Sequence, residues 1–293
     1  MASQQSLYRG HAFASPVRVP PIKTQGIKTK LVPFIAEVAR LQTTDRWVEP
    51  FLGSGVVMFN VAAQRALAGE TNPHIVSLYR AIQTEEITAK QVREFLTREG
   101  ARLARNGAEH YYEIRDRFNA ERNPLDFLFL NRSSFNGVIR FNSRGGYNVP
   151  FCHKTDRFSK AYITRIVNQV AWVESKLRCR PEWTIQTADW RTTVSELGRD
   201  DFLYLDPPYS GRNVNYYNMW SRGDLQDLAE FLADTECRFG LSLWYENRYR
   251  RNSDIEEMFD GFAVLKYEHF YHVGSEERLR NAVTEALITN ACR

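Results

Sequence analysis

Apolar and polar positions alternate in short runs at both ends of the chain and give way in the middle to a basic, largely helical stretch. Leu31, Val32, Phe34, Ile35, Val38 and Leu41 recur at helical spacing, with Pro33 in the first turn. Trp47-Val48-Glu49-Pro50-Phe51 predicts a short strand, Gly53-Ser54-Gly55 a turn, and the run from Val56 to Leu67 a helix. Helical patterning follows from Pro73 to about Arg105 and continues through Tyr111, Tyr112, Ile114 and Phe118. The apolar segment from Pro124 to Leu130 predicts a buried helix. Short alternating runs on either side of Arg144-Gly145-Gly146 predict a hairpin. Beyond it come a helix from Ile163 to Leu177, a strand at Thr184 to Thr187, and the fully apolar and aromatic strand Phe202-Leu203-Tyr204-Leu205. A helix from Asp224 to Asp234, a strand from Phe239 to Trp244, a helix around Ile255 and Phe259, and strands from Phe262 to Tyr271 and Ala282 to Thr289 complete the chain.

Strands alternating with helices at both ends imply one α/β domain built from two segments, 23–75 and 162–293. Residues 76–161 form an insertion, and 1–22 an irregular arm containing Pro16, Pro20 and Pro21. With 293 residues and 43% hydrophobic content a sizeable core is available. No apolar run reaches the length of a membrane span, and the first residues lack the apolar core of a signal peptide. The four cysteines lie far apart with no histidine cluster, so neither a zinc site nor a disulfide framework is expected; a reducing, cytoplasmic setting is. Net charge is +4, but residues 100–165 hold twelve Lys/Arg against six Asp/Glu, concentrating positive charge in the insertion. Aromatic and Asn residues among those charges suit a nucleic-acid surface as well as a solvated face.

Candidate chemistry sits at the strand ends. A strand, a Gly-rich turn and a helix allow close backbone approach to a nucleoside ligand. The pattern is neither the dinucleotide fingerprint nor a Walker loop. Glu70 can accept the two hydroxyls of a ribose, or be an exposed turn residue. Asp189 beside Trp190 can accept from an exocyclic amine while the ring covers a base. Gly26 and Lys28 precede a helix, where an anion can be held. Asp206-Pro207-Pro208-Tyr209 leaves the strand at Leu205. Taken alone, these four residues fit a Pro-rich turn as well as a ligand-bearing strand end.

Six motifs occur in one order: K-x-x-G-x-K from Lys23 to Lys28, E-P-F-x-G-x-G from Glu49 to Gly55, E-x-N at Glu70, N-R-x-x-F-N-G-x-x-R-F-N from Asn131 to Asn142, A-D-W at Asp189, and D-P-P-Y at Asp206. Together they resemble the Dam-type (D12 class, alpha group) site-specific DNA adenine-N6 methyltransferases over almost the whole chain. The resemblance implies a Rossmann-like, seven-stranded, mostly parallel sheet with helices on both faces, plus an inserted helical and hairpin DNA-recognition domain. It implies S-adenosyl-L-methionine as methyl donor and double-stranded DNA as partner, with a cognate restriction endonuclease as a further partner to consider. Phe51, Gly53 and Gly55 would line the methionine end of the cofactor, Lys28 would meet its carboxylate, Glu70 its ribose, and Asp189 with Trp190 its adenine. The family's usual Asp at the Glu70 position and Phe at the Trp190 position are replaced here.

The resemblance also implies a mechanism. The lone pair of adenine N6 is delocalised into the ring. Asp206 and the Pro207 carbonyl would accept its two N–H bonds and localise it, with Pro208 and a stacking Tyr209 completing the motif around a flipped base. Target reading would fall to Phe135, Asn136, Val138 and Arg140 in the hairpin and to Lys23 in the arm, with Arg132, Asn142 and Lys154 as further DNA contacts. Arg140 would suit a guanine edge, and Phe135 could fill the space the flipped base leaves. A GATC-like site is the first expectation, although His153 and Lys154 depart from the family pattern after the hairpin. Cytosine-N4 methylation and a catalytically silent DNA-binding protein are the alternatives; Asp rather than Ser at 206 favours adenine.

Overall fold

The computed structural model describes residues 16–208, 220–247, 250–270 and 282–291. The elements run α1 (Val32–Ala39), β1 (Arg46–Glu49), α2 (Val56–Val61), β2 (Arg65–Glu70), α3 (Pro73–Gln83), α4 (Ala89–Asn106), α5 (Ala108–Glu121), α6 (Pro124–Ser133), α7 (Lys160–Arg178), β3 (Trp183–Thr187), α8 (Trp190–Thr193), β4 (Asp201–Leu205), α9 (Arg222–Asp234), β5 (Arg238–Asn247), β6 (Arg250–Arg251), α10 (Asp254–Met258), β7 (Ala263–Phe270) and β8 (Ala282–Thr289). Seven strands form one path, β3-β2-β1-β4-β5-β8-β7, and the two-residue β6 pairs only with β5. The first five are parallel to one another; β8 runs antiparallel between β5 and β7. The mostly parallel expectation holds, and the short β6 makes the sheet eight-stranded where seven were expected.

Alternate residues of each central strand face opposite layers. Trp47, Phe202 and Tyr204 join a core with α1, α2, α3 and α7, whereas Val48, Leu203 and Leu205 join one with α9 and α10. Trp47 stacks on Phe202 at 5.5 Å and on Tyr204 at 5.6 Å, locking β1 to β4 where the strand order reverses. Ligands bind at such switch points, outside the carboxyl ends of the strands. The first core does not stop at the insertion. Val92, Leu96, Tyr111, Phe118, Phe127, Leu130 and Tyr147 belong to the same buried cluster as Trp47.

The helix expected from Val56 to Leu67 ends at Val61, where Ala62 adopts an extended conformation. Leu67 lies instead in β2, opposite Val48. Ala66, Leu67 and Ala68 favour helix by intrinsic propensity; pairing on both sides, with β1 and β3, overrides it. The helical stretch after Pro73 breaks at Glu85, whose φ is +62°, and restarts behind a Thr88–Gln91 capping box. The hairpin is less regular than expected: single bridges join Ser134 to Phe151 and Phe141 to Tyr147. Tyr271, the expected end of the penultimate strand, and the rest of 271–281 lie outside the described residues. No helix among the described residues is long and apolar enough to cross a membrane.

Candidate active site

Four strand ends converge on one cavity of about 400 Å³ lined by residues from Thr24–Lys28, the Glu49–Val57 segment, Glu70–Asn72, Asp189–Arg191 and Asp206–Pro208. After β1 the chain turns through Gly53 (φ +50°) and Gly55 (φ +72°). At Gly55 an added Cβ would come within 2.6 Å of the Phe59 ring; at Gly53 it would meet nothing within 4 Å. The loop is fixed by three hydrogen bonds. Leu52 N–H donates to the Gly69 carbonyl (3.0 Å), Gly53 N–H to Glu70 Oε2 (2.8 Å), and Tyr79 Oη–H to the Ser54 carbonyl (2.6 Å).

Glu70 is buried at the end of β2, and its Oε1 also accepts from Asn72 N–H at 2.9 Å. Burial pushes its carboxyl above the usual range, and the backbone donors oppose that shift. Asp189 is exposed and caps α8, accepting from Thr192 N–H at 2.8 Å, which holds its carboxyl below the usual range. Trp190 is buried, edge-on to Phe231 at 5.7 Å, with the Arg191 guanidinium 4.5 Å from its ring. Phe51 meets Trp220 edge-on at 5.3 Å.

Asp206 stands at the end of β4, 22% exposed, with Oδ1 3.0 Å from Lys28 Nζ. Burial pushes its carboxyl up to about 6, opposed by Lys28 and reinforced by Glu285. Lys28 is 3% exposed and also donates to the Gly26 carbonyl at 3.0 Å. Its ammonium thus sits at the Asp206 end of the cavity, held by that carboxylate. Pro207 and Pro208 line the cavity's rim; Tyr209 lies outside the described residues.

Two buried carboxylates near the cavity were given no site role in the sequence reading. Glu49 accepts from Trp47 Nε1–H at 2.8 Å, and burial pushes its carboxyl well above the usual range. Glu285, 2% exposed on β8, lies 3.8 Å from Lys28 Nζ. For Glu285 the signal was available: it is the one charged residue in β8 (Ala282–Thr289), flanked by Ala286, Leu287 and Ile288.

The candidate DNA contacts divide. Phe135 is 53% exposed. Asn136 (φ +53°), Arg140, Asn142 and Lys154 are also exposed, and Val138 is half-buried. Arg140 donates through Nε to Asn148 Oδ1 (2.8 Å) and through Nη2 to the Asn148 carbonyl (3.0 Å). Asn142 Oδ1 accepts from Arg144 N–H and Gly146 N–H, tying the turn. Lys23 is half-buried, its ammonium 5.9 Å from the Tyr162 ring. Arg132 is 3% exposed, and its Nη1 donates to the Pro21 carbonyl at 2.9 Å, which ties the arm to α6. Ile139, between Val138 and Arg140, lines the cavity, so the hairpin reaches its wall.

A doubly wound sheet with a glycine-lined cavity and carboxylates at its switch point defines an α/β enzyme of the nucleoside-cofactor type. The chain belongs to the D12 class of N6 adenine-specific DNA methyltransferases, whose family model matches residues 25–273. It is 30% identical over 250 residues to a DNA adenine methylase of Haemophilus influenzae, covering 80% of this chain and 81% of that one. It is 29% identical over 211 residues to a DNA adenine methylase of Vibrio cholerae, covering 68% and 71%. It is 24% identical over 300 residues to the type II methyltransferase M.MjaIII of Methanocaldococcus jannaschii, covering 92% and 98%. The protein is an S-adenosylmethionine-dependent enzyme that methylates adenine N6 in DNA. The cavity fits that cofactor: it is of nucleoside size, open beside Gly53 where a side chain would intrude, and offers the Glu70 and Asp189 carboxylates as acceptors.

Proposed function

We propose that the chain methylates a flipped adenine within a specific double-stranded DNA sequence, with Asp206 and the Pro207 carbonyl holding N6. One observation carries this reading: Asp206, the glycine turn, Glu70 and the hairpin residue Ile139 border a single cavity. When bound, the cofactor supplies an electrophilic methyl on a sulfonium. Phe51, Gly53 and Gly55 border its methionine end, Glu70 accepts from its ribose, and Asp189 and Trp190 hold its adenine. Asp206 accepts one N6–H bond and favours the positive charge that N6 gains. The proton leaves after transfer, so Asp206 need not be a strong base. Pro208 and Tyr209 cover the target ring.

Residues 76–161 act as the target-recognition part and 23–75 with 162–293 as the catalytic part. Arg140 reads a base edge, Phe135 fills the vacated stack, and Asn136, Val138, Asn142, Lys154 and Lys23 support them. The resemblance in the hairpin favours a GATC-like site. The reading accommodates an orphan enzyme or one paired with a cognate restriction endonuclease. Mapping methylated adenines in DNA from cells expressing the protein tests it. One recurring motif is expected; methylation scattered without sequence preference refutes sequence-specific recognition, and a motif unrelated to GATC refutes the site assignment.

A further inference from the structure

Asp206 does not have Lys28 to itself. Lys28 Nζ lies 3.0 Å from Asp206 Oδ1 and 3.8 Å from Glu285 Oε2, with both Lys28 and Glu285 buried. Among the described residues, the charged and titratable groups around Asp206 are Lys28 before α1, Glu285 on β8, Glu49 on β1 and Tyr204 on its own strand. Glu285 does not border the cavity. It stands on the antiparallel strand, two strands from Asp206, opposite Trp244 and Tyr267. A carboxylate buried beside Ala286, Leu287 and Ile288 is unfavourable unless a cation answers it.

Resting on the role assigned above to Asp206, we infer that Glu285 is a positioning residue for methyl transfer, sharing the Lys28 ammonium with Asp206. A lysine committed wholly to Asp206 would draw its lone pairs away from N6 and weaken it as an acceptor. Divided between two carboxylates, Lys28 neutralises Asp206 only in part. Glu285 has a second task after transfer. The methylated N6 carries one proton too many; that N–H bond breaks, an O–H bond forms on the Asp206 carboxylate, and the proton then passes to water from this part-exposed group. While Asp206 is neutral, Glu285 remains as the counter-ion that keeps Lys28 charged and in place.

The test compares Glu285→Gln, Glu285→Asp and Asp206→Asn. Activity is read as kcat/KM across pH with cofactor and a methylatable duplex. Melting across pH is read on protein alone. Glu285→Gln should move the acid limb of kcat/KM down by roughly half a pH unit or more. It should lower plateau kcat about tenfold with a much smaller change in KM. Without ligands, the pH window over which Asp206→Asn alters melting should move down in the Glu285→Gln background. Glu285→Asp should restore the limb, and it carries the test if the Gln variant does not fold: a limb displaced in the Asp variant, charge intact, overturns the inference. A folded Glu285→Gln protein whose limb and melting window stay put overturns it too, even if kcat falls. Full methyl transfer by Asp206→Asn would instead overturn the assignment of Asp206 itself.

Discussion

Replacing Asp206 with Asn should stabilise the protein while disabling it. Burial in the fold raises the Asp206 carboxyl to about 6, whereas the unfolded chain titrates near the ordinary aspartate value of about 3.8. A carboxyl raised on folding favours the folded state while protonated, and that advantage is lost as pH rises from about 4 to about 6. At about 1.36 kcal/mol per pH unit, the ionised side chain disfavours the fold by up to about 3 kcal/mol at any higher pH. Asn carries no such penalty, and Lys28 retains the Gly26 carbonyl and Glu285. With an unfolding entropy of about 2.1 cal/mol/K per residue, a chain of this length should melt about 5 °C higher at pH 8. The difference should shrink toward zero near pH 4. Methyl incorporation should fall by about 10²–10³, because Asn cannot answer the charge developing on N6. In the parent enzyme kcat/KM should decline as pH drops through about 6. Paired melting curves from pH 4 to 8.5, alongside a methyl-transfer assay, read both arms. A melting difference that is independent of pH, or reversed at pH 8, refutes the argument.

Arg140→Ala should lose about 1–3 kcal/mol of target affinity and relax preference at one base pair; uniform weakening across all sequences in binding titrations would assign Arg140 to phosphate. Gly55→Ala forces a Cβ against the Phe59 ring at a left-handed φ. It should lose about 2 kcal/mol or more of stability and weaken cofactor binding, read by melting and calorimetry. Arg132→Ala should lower stability by about 2 kcal/mol while leaving sequence preference among the surviving activity intact. Altered preference with an unchanged melting temperature would return Arg132 to the DNA surface.

Much of this architecture is legible in the chain because its central strands are covered on both faces. Phe202-Leu203-Tyr204-Leu205 reads as a strand for the same reason that all four are buried. Leu67 misled because Ala and Leu favour helices and β2's partners lie far away in sequence or across the sheet. Lys28, Phe51, Gly53, Glu70, Asp189, Trp190 and Asp206 line one cavity, whereas Gly55 does not; most of these residues end a strand or open a helix, a local event with a local signature. The burial of Arg132 was not legible because an Arg amid Asn, Phe and Gly looks the same whether it is exposed or reaches inward to the Pro21 carbonyl. Lys28 and Glu285 meet across more than 250 residues of chain, and no spacing announces that. Only the unusual presence of Glu285 in an apolar strand hinted at it.

The unbroken aromatic and aliphatic core that runs from Trp47 beneath the sheet to Tyr147 behind the hairpin has an evolutionary consequence. A reader module on a flexible tether can be exchanged between relatives as a cassette. Here, if residues 76–161 read the target as proposed, a new segment would have to match the shape of α7 or leave cavities in the shared core. Specificity in this lineage should therefore drift by substitutions at exposed hairpin positions such as Phe135 and Arg140, and transplanted insertions should misfold before they mistarget.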